Sequence, residues 1–228
     1  MSNAAIATNI YGKYSVPEGL DHRPAVRLVK SGKVYEPRTI AFMMRHAGKG
    51  DIIHAGTFFG DFLPALSSAM GEGRKVWAFE PNPDSHENAA RTIDLNDLKN
   101  VTLRRAAVSA DTGTVHFRTH DDKGKPLGGH SHFVPLGGAP GIEAVESIRL
   151  DDAVPVHRPV SILQLDVEGH EISALSGARD LIHRWRPILI LEGFRRPRWI
   201  RRTFRGLGYQ LRGEMHHNKV FSVDPVEF

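Results

Sequence analysis

The feature that most constrains this chain is a repeated rhythm of short, continuous apolar runs separated by stretches with helical spacing. Asp51–Ala55, Lys75–Phe79, Val101–Ala107, Ser161–Asp166 and Pro187–Glu192 read as strands. Between them Asp61–Met70, Pro83–Leu95 and Glu171–Ile182 carry helical periodicity, and an Arg-rich helix follows the last run. Runs that are apolar throughout belong to strands covered on both faces, hence to a mainly parallel sheet with helices on each side. Tyr209–Arg212 and Lys219–Val223 then close the chain as an antiparallel pair. The rhythm predicts one α/β domain over residues 41–228, built on a seven-stranded, doubly wound sheet. Residues 1–40 predict an N-terminal extension, a small hairpin and then a helix from about Glu36, placed to cover a ligand site. Thr114–Arg118 is expected beside the third strand, and Thr119–Ala144 is expected as a glycine- and histidine-rich loop.

Composition narrows the class. A chain of 228 residues suffices for one such core. It has no cysteine, which excludes disulfides, thiolate zinc sites and cysteine nucleophiles. No stretch approaches the roughly 18 apolar residues of a membrane helix. The N-terminus lacks the basic and apolar regions of a signal peptide. A cytoplasmic location is therefore expected, without a membrane partner; oligomeric state is not legible. The net charge is +4, but Arg195, Arg196, Arg198, Arg201, Arg202 and Arg205 crowd together, interleaved with Trp199 and Phe204. Such a patch attracts nucleic acid or anionic sugars. It is more commonly the solvated face of an amphipathic helix.

In a doubly wound sheet ligands bind outside the carboxyl ends of the strands, so those ends carry the functional information. The first ends in His54-Ala55-Gly56-Thr57-Phe58-Phe59-Gly60-Asp61. Two glycines at a strand-to-helix turn let the backbone approach a ligand and aim helix N–H groups at it. The dinucleotide pattern GxGxxG is absent, which argues against a nicotinamide oxidoreductase. The second ends in Phe79-Glu80-Pro81-Asn82-Pro83, an acid about twenty residues past the turn, suited to accept from ribose hydroxyls. The alternative for Glu80 is a carboxylate placed for the helix dipole. The fourth ends in Asp166-Val167-Glu168-Gly169-His170-Glu171, where three carboxylates and a histidine suit proton transfer or a hard cation. Glu168 and Glu171 also fit a helix start. The fifth ends on Glu192. His120, His130 and His132 invite a metal reading, although HxH in a glycine-rich loop is more often plain surface.

Together these pieces resemble the FkbM family of S-adenosylmethionine-dependent methyltransferases over about residues 35–224. The likeness is most specific at Phe79–Pro83 and Leu165–Ala178, supported by Leu207–Ser222. It implies a Rossmann-like class I methyltransferase fold and methyl transfer, usually to a hydroxyl of a saccharide or other small metabolite. Gly56 and Gly60 match the family's cofactor-loop glycines, Glu80 its ribose acid, and Asp166, Glu168, Gly169 and Glu171 its D-x-E-G-x-E segment. The expected S-adenosylmethionine set is Gly56, Thr57, Phe58, Gly60 and Asp61, then Glu80, Pro81 and Asn82, with Ala107 and Asp166. The first motif departs from the family's D-x-G-A-N-x-G: His54 replaces the acid and Phe58 the Asn. Either Asp61 or Asp166 compensates, or cofactor affinity is altered.

An alcohol acceptor must lose its proton, because a free hydroxyl is a poor nucleophile. His170 is the first candidate for the base, with its near-neutral intrinsic pKa. Asp166, Glu168 and Glu192 complete the catalytic set. Asp166 and Glu192 can act as base, as orienters, or as Mg²⁺ ligands that acidify the acceptor. No metal site is assigned. Two rivals stand against this reading: a catalytically impaired cofactor-binding scaffold, on the altered His54–Gly60 segment, and a nucleic-acid methyltransferase, on the Arg-rich helix. DVEG follows the fourth strand instead of an Asn/Asp-Pro-Pro-aromatic segment, which weighs against an adenine-N6 enzyme.

Overall fold

The computed structural model describes residues 5–135 and 137–228; the first four residues of the expected extension lie outside them. The chain opens with a hairpin of β1 (Ala5–Asn9) and β2 (Gly12–Val16), followed by α1 (Pro24–Lys30) and α2 (Pro37–His46). The alternating core begins with β3 (Asp51–Ala55), α3 (Leu63–Ser68), β4 (Val76–Phe79), α4 (Pro83–Leu95) and β5 (Val101–Arg104). An inserted sheet follows, made of β6 (Ala107–Val108), β7 (Gly113–Arg118), β8 (His132–Val134) and β9 (Ile142–Ile148). The chain returns through α5 (Leu150–Ala153) to β10 (Val160–Leu165), α6 (Glu171–Ser176), α7 (Arg179–Trp185), β11 (Ile188–Glu192) and α8 (Pro197–Thr203). It closes on β12 (Gln210–Met215) and β13 (Asn218–Ser222).

The main sheet has seven strands in the order β12-β13-β11-β10-β3-β4-β5. β3, β4, β5, β10 and β11 pair in parallel, and β13 runs antiparallel to both its neighbours. The sheet is thus mixed, with the antiparallel component confined to the closing hairpin. Strand order reverses between β3 and β10, the switch point where such sheets open a crevice for ligand.

Side chains of the parallel strands alternate between two apolar layers. Ile53, Ala55, Leu163, Leu165, Leu189 and Leu191 face the layer that holds Leu175, Ile182 and Ile200 of α6, α7 and α8. Ile52, Val76, Ala78, Ile162 and Ile190 face the layer of Ile40, Phe42 and Met43 from α2 and of Leu63 and Leu66 from α3. A further cluster seats the hairpin and α1, with Tyr14, Val16, Val26 and Val29 against Phe59 of the first turn. Among the described residues no helix is long and apolar enough to cross a membrane.

Local signals account for several element ends. Asn82 caps α4 by accepting from the Asp84 and Ser85 N–H groups at 3.0 and 3.1 Å, and Pro83 fills the first helical position. Four expectations need correction. The third strand stops at Arg104, and Ala107 starts β6 in the other sheet. Thr114–Arg118 belongs to β7, which pairs with β8 and β9 rather than with β5. Thr119–Ala144 is not one loop, since it contains β8, a 3₁₀ turn at Gly128–His130 and the start of β9. The helix expected over Glu171–Ile182 is two helices divided at Gly177–Ala178.

Candidate active site

The C-terminal ends of β3, β4, β10 and β11 meet the inserted sheet and the N-terminal segment around a cleft of about 850 Å³, counted to its open mouth. Of the residues expected to bind cofactor, Gly56, Phe58, Glu80, Pro81, Ala107 and Asp166 form its wall. Of those expected in catalysis, Asp166, Glu168 and Glu192 do so. Tyr35, Arg23, Phe117, Ser131 and Phe133 join them; none was singled out in the sequence, although all but Phe117 lie in the segments 1–40 and 119–144 expected to build the acceptor pocket. His130, met in the sequence only as a possible metal ligand, stands on the rim.

The remaining expected residues support the wall from behind. Thr57 is fully buried with its hydroxyl unpartnered, and Gly60 packs on Ala89 of α4. Asp61 is buried, which pushes its carboxyl up to about 7. Asn82 caps α4 and donates to Ser131 Oγ at 2.8 Å. His170 does not face the main cleft. Its ring stacks on Phe133 at 3.7 Å, its Nε2 lies 3.2 Å from Ser109 Oγ, and burial pulls its pKa down. It borders instead the shallow groove that continues from the cleft past Leu127, His132 and Glu168.

The turn after β3 is shaped by its neighbours. Gly56 has φ +84°, and a Cβ there would lie 1.8 Å from the Asp166 carbonyl oxygen. The Asp166 N–H donates to the Ala55 carbonyl at 2.9 Å. The glycine therefore lets the loops after β3 and β10 touch, as well as forming part of the cleft wall. Phe58 occupies the left-handed region at φ +51°, where Asn is better tolerated than a bulky side chain. Two contacts hold it there: its N–H donates to Glu80 Oε2 at 2.7 Å, and its ring lies against Gly128, where a Cβ would come within 3.1 Å of it. The glycines of the inserted segment make room for that ring.

Glu80 is buried and also accepts from the Asn82 N–H at 2.9 Å. Burial nevertheless outweighs these two hydrogen bonds and pushes its pKa up to about 8. Asp166 is raised well above the usual carboxylate range by burial and then by its hydrogen-bonded neighbour Glu192. Glu168, open to solvent on one side, is pushed up to about 7, mainly by burial of its carboxyl and further by Glu192. Behind them Glu36, φ +46°, accepts from Asn218 Nδ2 at 2.8 Å, and burial raises it to about 8. None of these acids has a Lys, Arg or His within ion-pair distance among the described residues.

His54 plays no part in the wall. It is buried behind β3, stacked on Phe62 and hydrogen-bonded through Nδ1 to Gln164 of β10, and burial drops its pKa to about 4. The residue that departs most from the family pattern is thus a neutral core histidine. Among the described residues, no group of three or more His, Asp or Glu side chains is arranged to hold a metal ion.

A doubly wound sheet with an acid-lined cleft at its switch point defines an α/β protein built to hold a small ligand over its strand ends. The family description "Methyltransferase FkbM domain" matches residues 51–211, and the chain belongs to that family. It is 29% identical over 144 residues to the hexuronic acid methyltransferase AglP of Haloferax volcanii, a match covering 62% of this chain and 56% of that protein. The chain therefore spans little more than half the length of that relative. Among solved structures it resembles a methyltransferase FkbM from Methylobacillus flagellatus (TM-score 0.52, 20% identity, 76% of this chain and 43% of that one). It also resembles a methyltransferase from Geobacter sulfurreducens (TM-score 0.50, 13% identity, 90% and 85%). These two likenesses establish the methyltransferase fold.

Proposed function

We propose that this protein is an S-adenosylmethionine-dependent methyltransferase that methylates a hydroxyl oxygen of a saccharide or similar small metabolite. One observation carries the reading: buried and half-buried carboxylates line the cleft without cationic partners. Burying an acid without a partner is costly, and S-adenosylmethionine is a cation with a sulfonium and an ammonium group. The donor set fits it. Glu80 suits the ribose hydroxyls, Gly56 and Asp166 the methionine end, and the apolar surface of Pro81, Ala107, Val108 and Phe133 the adenine. Bound there, the cofactor supplies an electrophilic methyl group for in-line displacement. The chain contributes position and proton transfer, and positioning supplies much of the rate.

Asp166 and Glu192 form the proton-handling pair. Their carboxyls are neighbours in the cleft, so that one can take the proton of the acceptor hydroxyl while the other holds it in place. His170, on the neighbouring groove, is given no proton to move in this scheme. A saccharide acceptor draws support from the hexuronic acid methyltransferase relative. The nucleic-acid alternative loses ground because the aromatic side chains among the arginines pack inward: Phe204 is buried and Trp199 meets it edge-on at 6.0 Å. The scaffold alternative rests on the altered His54–Gly60 segment, in which His54 lies outside the cleft while Phe58 forms part of its wall.

Calorimetric titration with S-adenosylmethionine and S-adenosylhomocysteine, followed by methyl transfer to a panel of glycosides, tests the proposal. Micromolar binding with methylated product is expected. Absence of binding by either compound would overturn it, and binding with no product on any hydroxyl acceptor would return the scaffold reading.

A further inference from the structure

Arg23, the residue before α1, is 8% exposed and forms part of the cleft wall. Its Nη2 donates to the Leu127 carbonyl, while its buried Nε has no partner. No Asp or Glu lies within ion-pair distance of it among the described residues. The acid that it influences most is Glu168, beyond that distance and itself drawn toward neutrality. An arginine is almost never this buried without a partner, and its guanidinium keeps its charge under all ordinary conditions. Its field is felt by His130, which borders both the cleft and the shallow groove. Leu127, which Arg23 grips, borders that same groove.

The cleft therefore has two poles. The acids at the strand ends match a cationic cofactor; Arg23 is left with one protein hydrogen bond and no counter-charge. We infer that Arg23 is a carboxylate-binding subsite for the methyl acceptor, so that the acceptor is an acidic saccharide of the uronic acid type rather than a neutral one. This rests on the methyl-transfer reading for its biological meaning, but the subsite is measurable without turnover. A planar, bidentate carboxylate is the natural partner of a guanidinium held at one edge. The cofactor's own methionine carboxylate is the competing occupant, and it is separable by chemistry.

The test pairs the methyl glycosides of glucuronic and galacturonic acid with those of glucose and galactose. Their binding to wild-type protein, Arg23→Gln and Arg23→Lys is measured by calorimetry in the presence of S-adenosylhomocysteine. The wild type should prefer an acid to its neutral counterpart by tenfold or more, as expected for a hydrogen-bonded charge pair. Arg23→Gln should abolish that preference while neutral sugars bind as before, and Arg23→Lys should keep part of it. Equal affinity for acidic and neutral sugars in the wild type would overturn the inference, as would a preference that survives Arg23→Gln. In a parallel arm, cofactor affinity is compared for S-adenosylmethionine and its decarboxylated form. Weaker binding of the first alone in Arg23→Gln would assign the arginine to the cofactor and sink the acceptor subsite. Failure of the wild type to bind either cofactor would instead strike the functional proposal, leaving the acid preference to be judged on the sugar titrations.

Discussion

The two ends of the same sheet treat a carboxylate in opposite ways. At the N-terminal end, Asp51 of β3 is fully buried and completely served. Arg158 donates to it from Nε and Nη2 at 2.7 and 2.6 Å, Trp77 Nε1 at 2.7 Å and the Lys75 N–H at 3.0 Å. At the C-terminal end Glu80 has two backbone donors and no cation, and Asp166 has another carboxylate as its neighbour. The first arrangement is closed and stabilises the fold. The second leaves its acids without a counter-charge, so burial shifts them toward the neutral form, and the proposed cationic cofactor would draw them back to the carboxylate.

The sharpest break in this comparison is chemical. Glu192→Gln should lower turnover by about 10²- to 10⁴-fold, the usual reach of a general base, while cofactor affinity changes less than about tenfold; Asp166→Asn, placed also at the methionine end, should lower turnover and cofactor affinity together. A methyl-transfer assay beside calorimetry reads both, and unchanged turnover would remove the pair from the mechanism. At the other end Asp51→Ala should reduce unfolding free energy by about 3 kcal/mol, because it strands the arginine's charge. Cofactor affinity of the folded variant should stay at the wild-type level in denaturant-free buffer.

Glu80→Ala should give the mirror image. Cofactor affinity should weaken by about 2 kcal/mol, roughly thirtyfold, with unfolding free energy shifted by less than about 1 kcal/mol. If Glu80→Ala instead destabilises as Asp51→Ala does, the two ends are alike and the contrast fails. A pH series sharpens the same point. The pKa values of Glu36, Asp61 and Glu80 are raised to about 8, 7 and 8, above those of the unfolded chain. Raised carboxylates favour the fold fully below about pH 4 and lose that contribution as pH rises through 7 to 8. The ligand-free protein should therefore lose thermal stability between pH 6 and 8.5. Stabilisation by S-adenosylmethionine should grow over the same interval, with protons released on binding; a flat profile would contradict the unpaired acids. The smallest effect belongs to the exposed Arg201 and Arg202, whose replacement by Gln should leave Tm within about 2 °C.

Much of this was legible because strand ends in a doubly wound sheet have a fixed relation to the ligand crevice. Glu80, Asp166 and Glu192 could be singled out as soon as the apolar runs were recognised, and each reaches the cleft. Of the inserted sheet only β7 was legible, as Thr114–Arg118, and it was expected beside the third strand of the main sheet. β8 and β9 set His and Glu among few apolar residues over a small cluster of Ala107, Phe117 and Val145, so no sustained periodicity marks them. His170 lay in the right segment, but its direction depends on the first turn of α6 and on Phe133, which arrives from β8.

Residue order alone determined the α/β alternation, the switch-point crevice and the acids at its edge, because burial on both faces of a strand leaves a continuous apolar run. Tertiary structure alone decided which charges find partners. Arg158 closes on Asp51 across 107 positions of the chain, while Arg23 closes on no acid among the described residues. Pairing of this kind depends on distance in space, and separation along the chain carries no record of it.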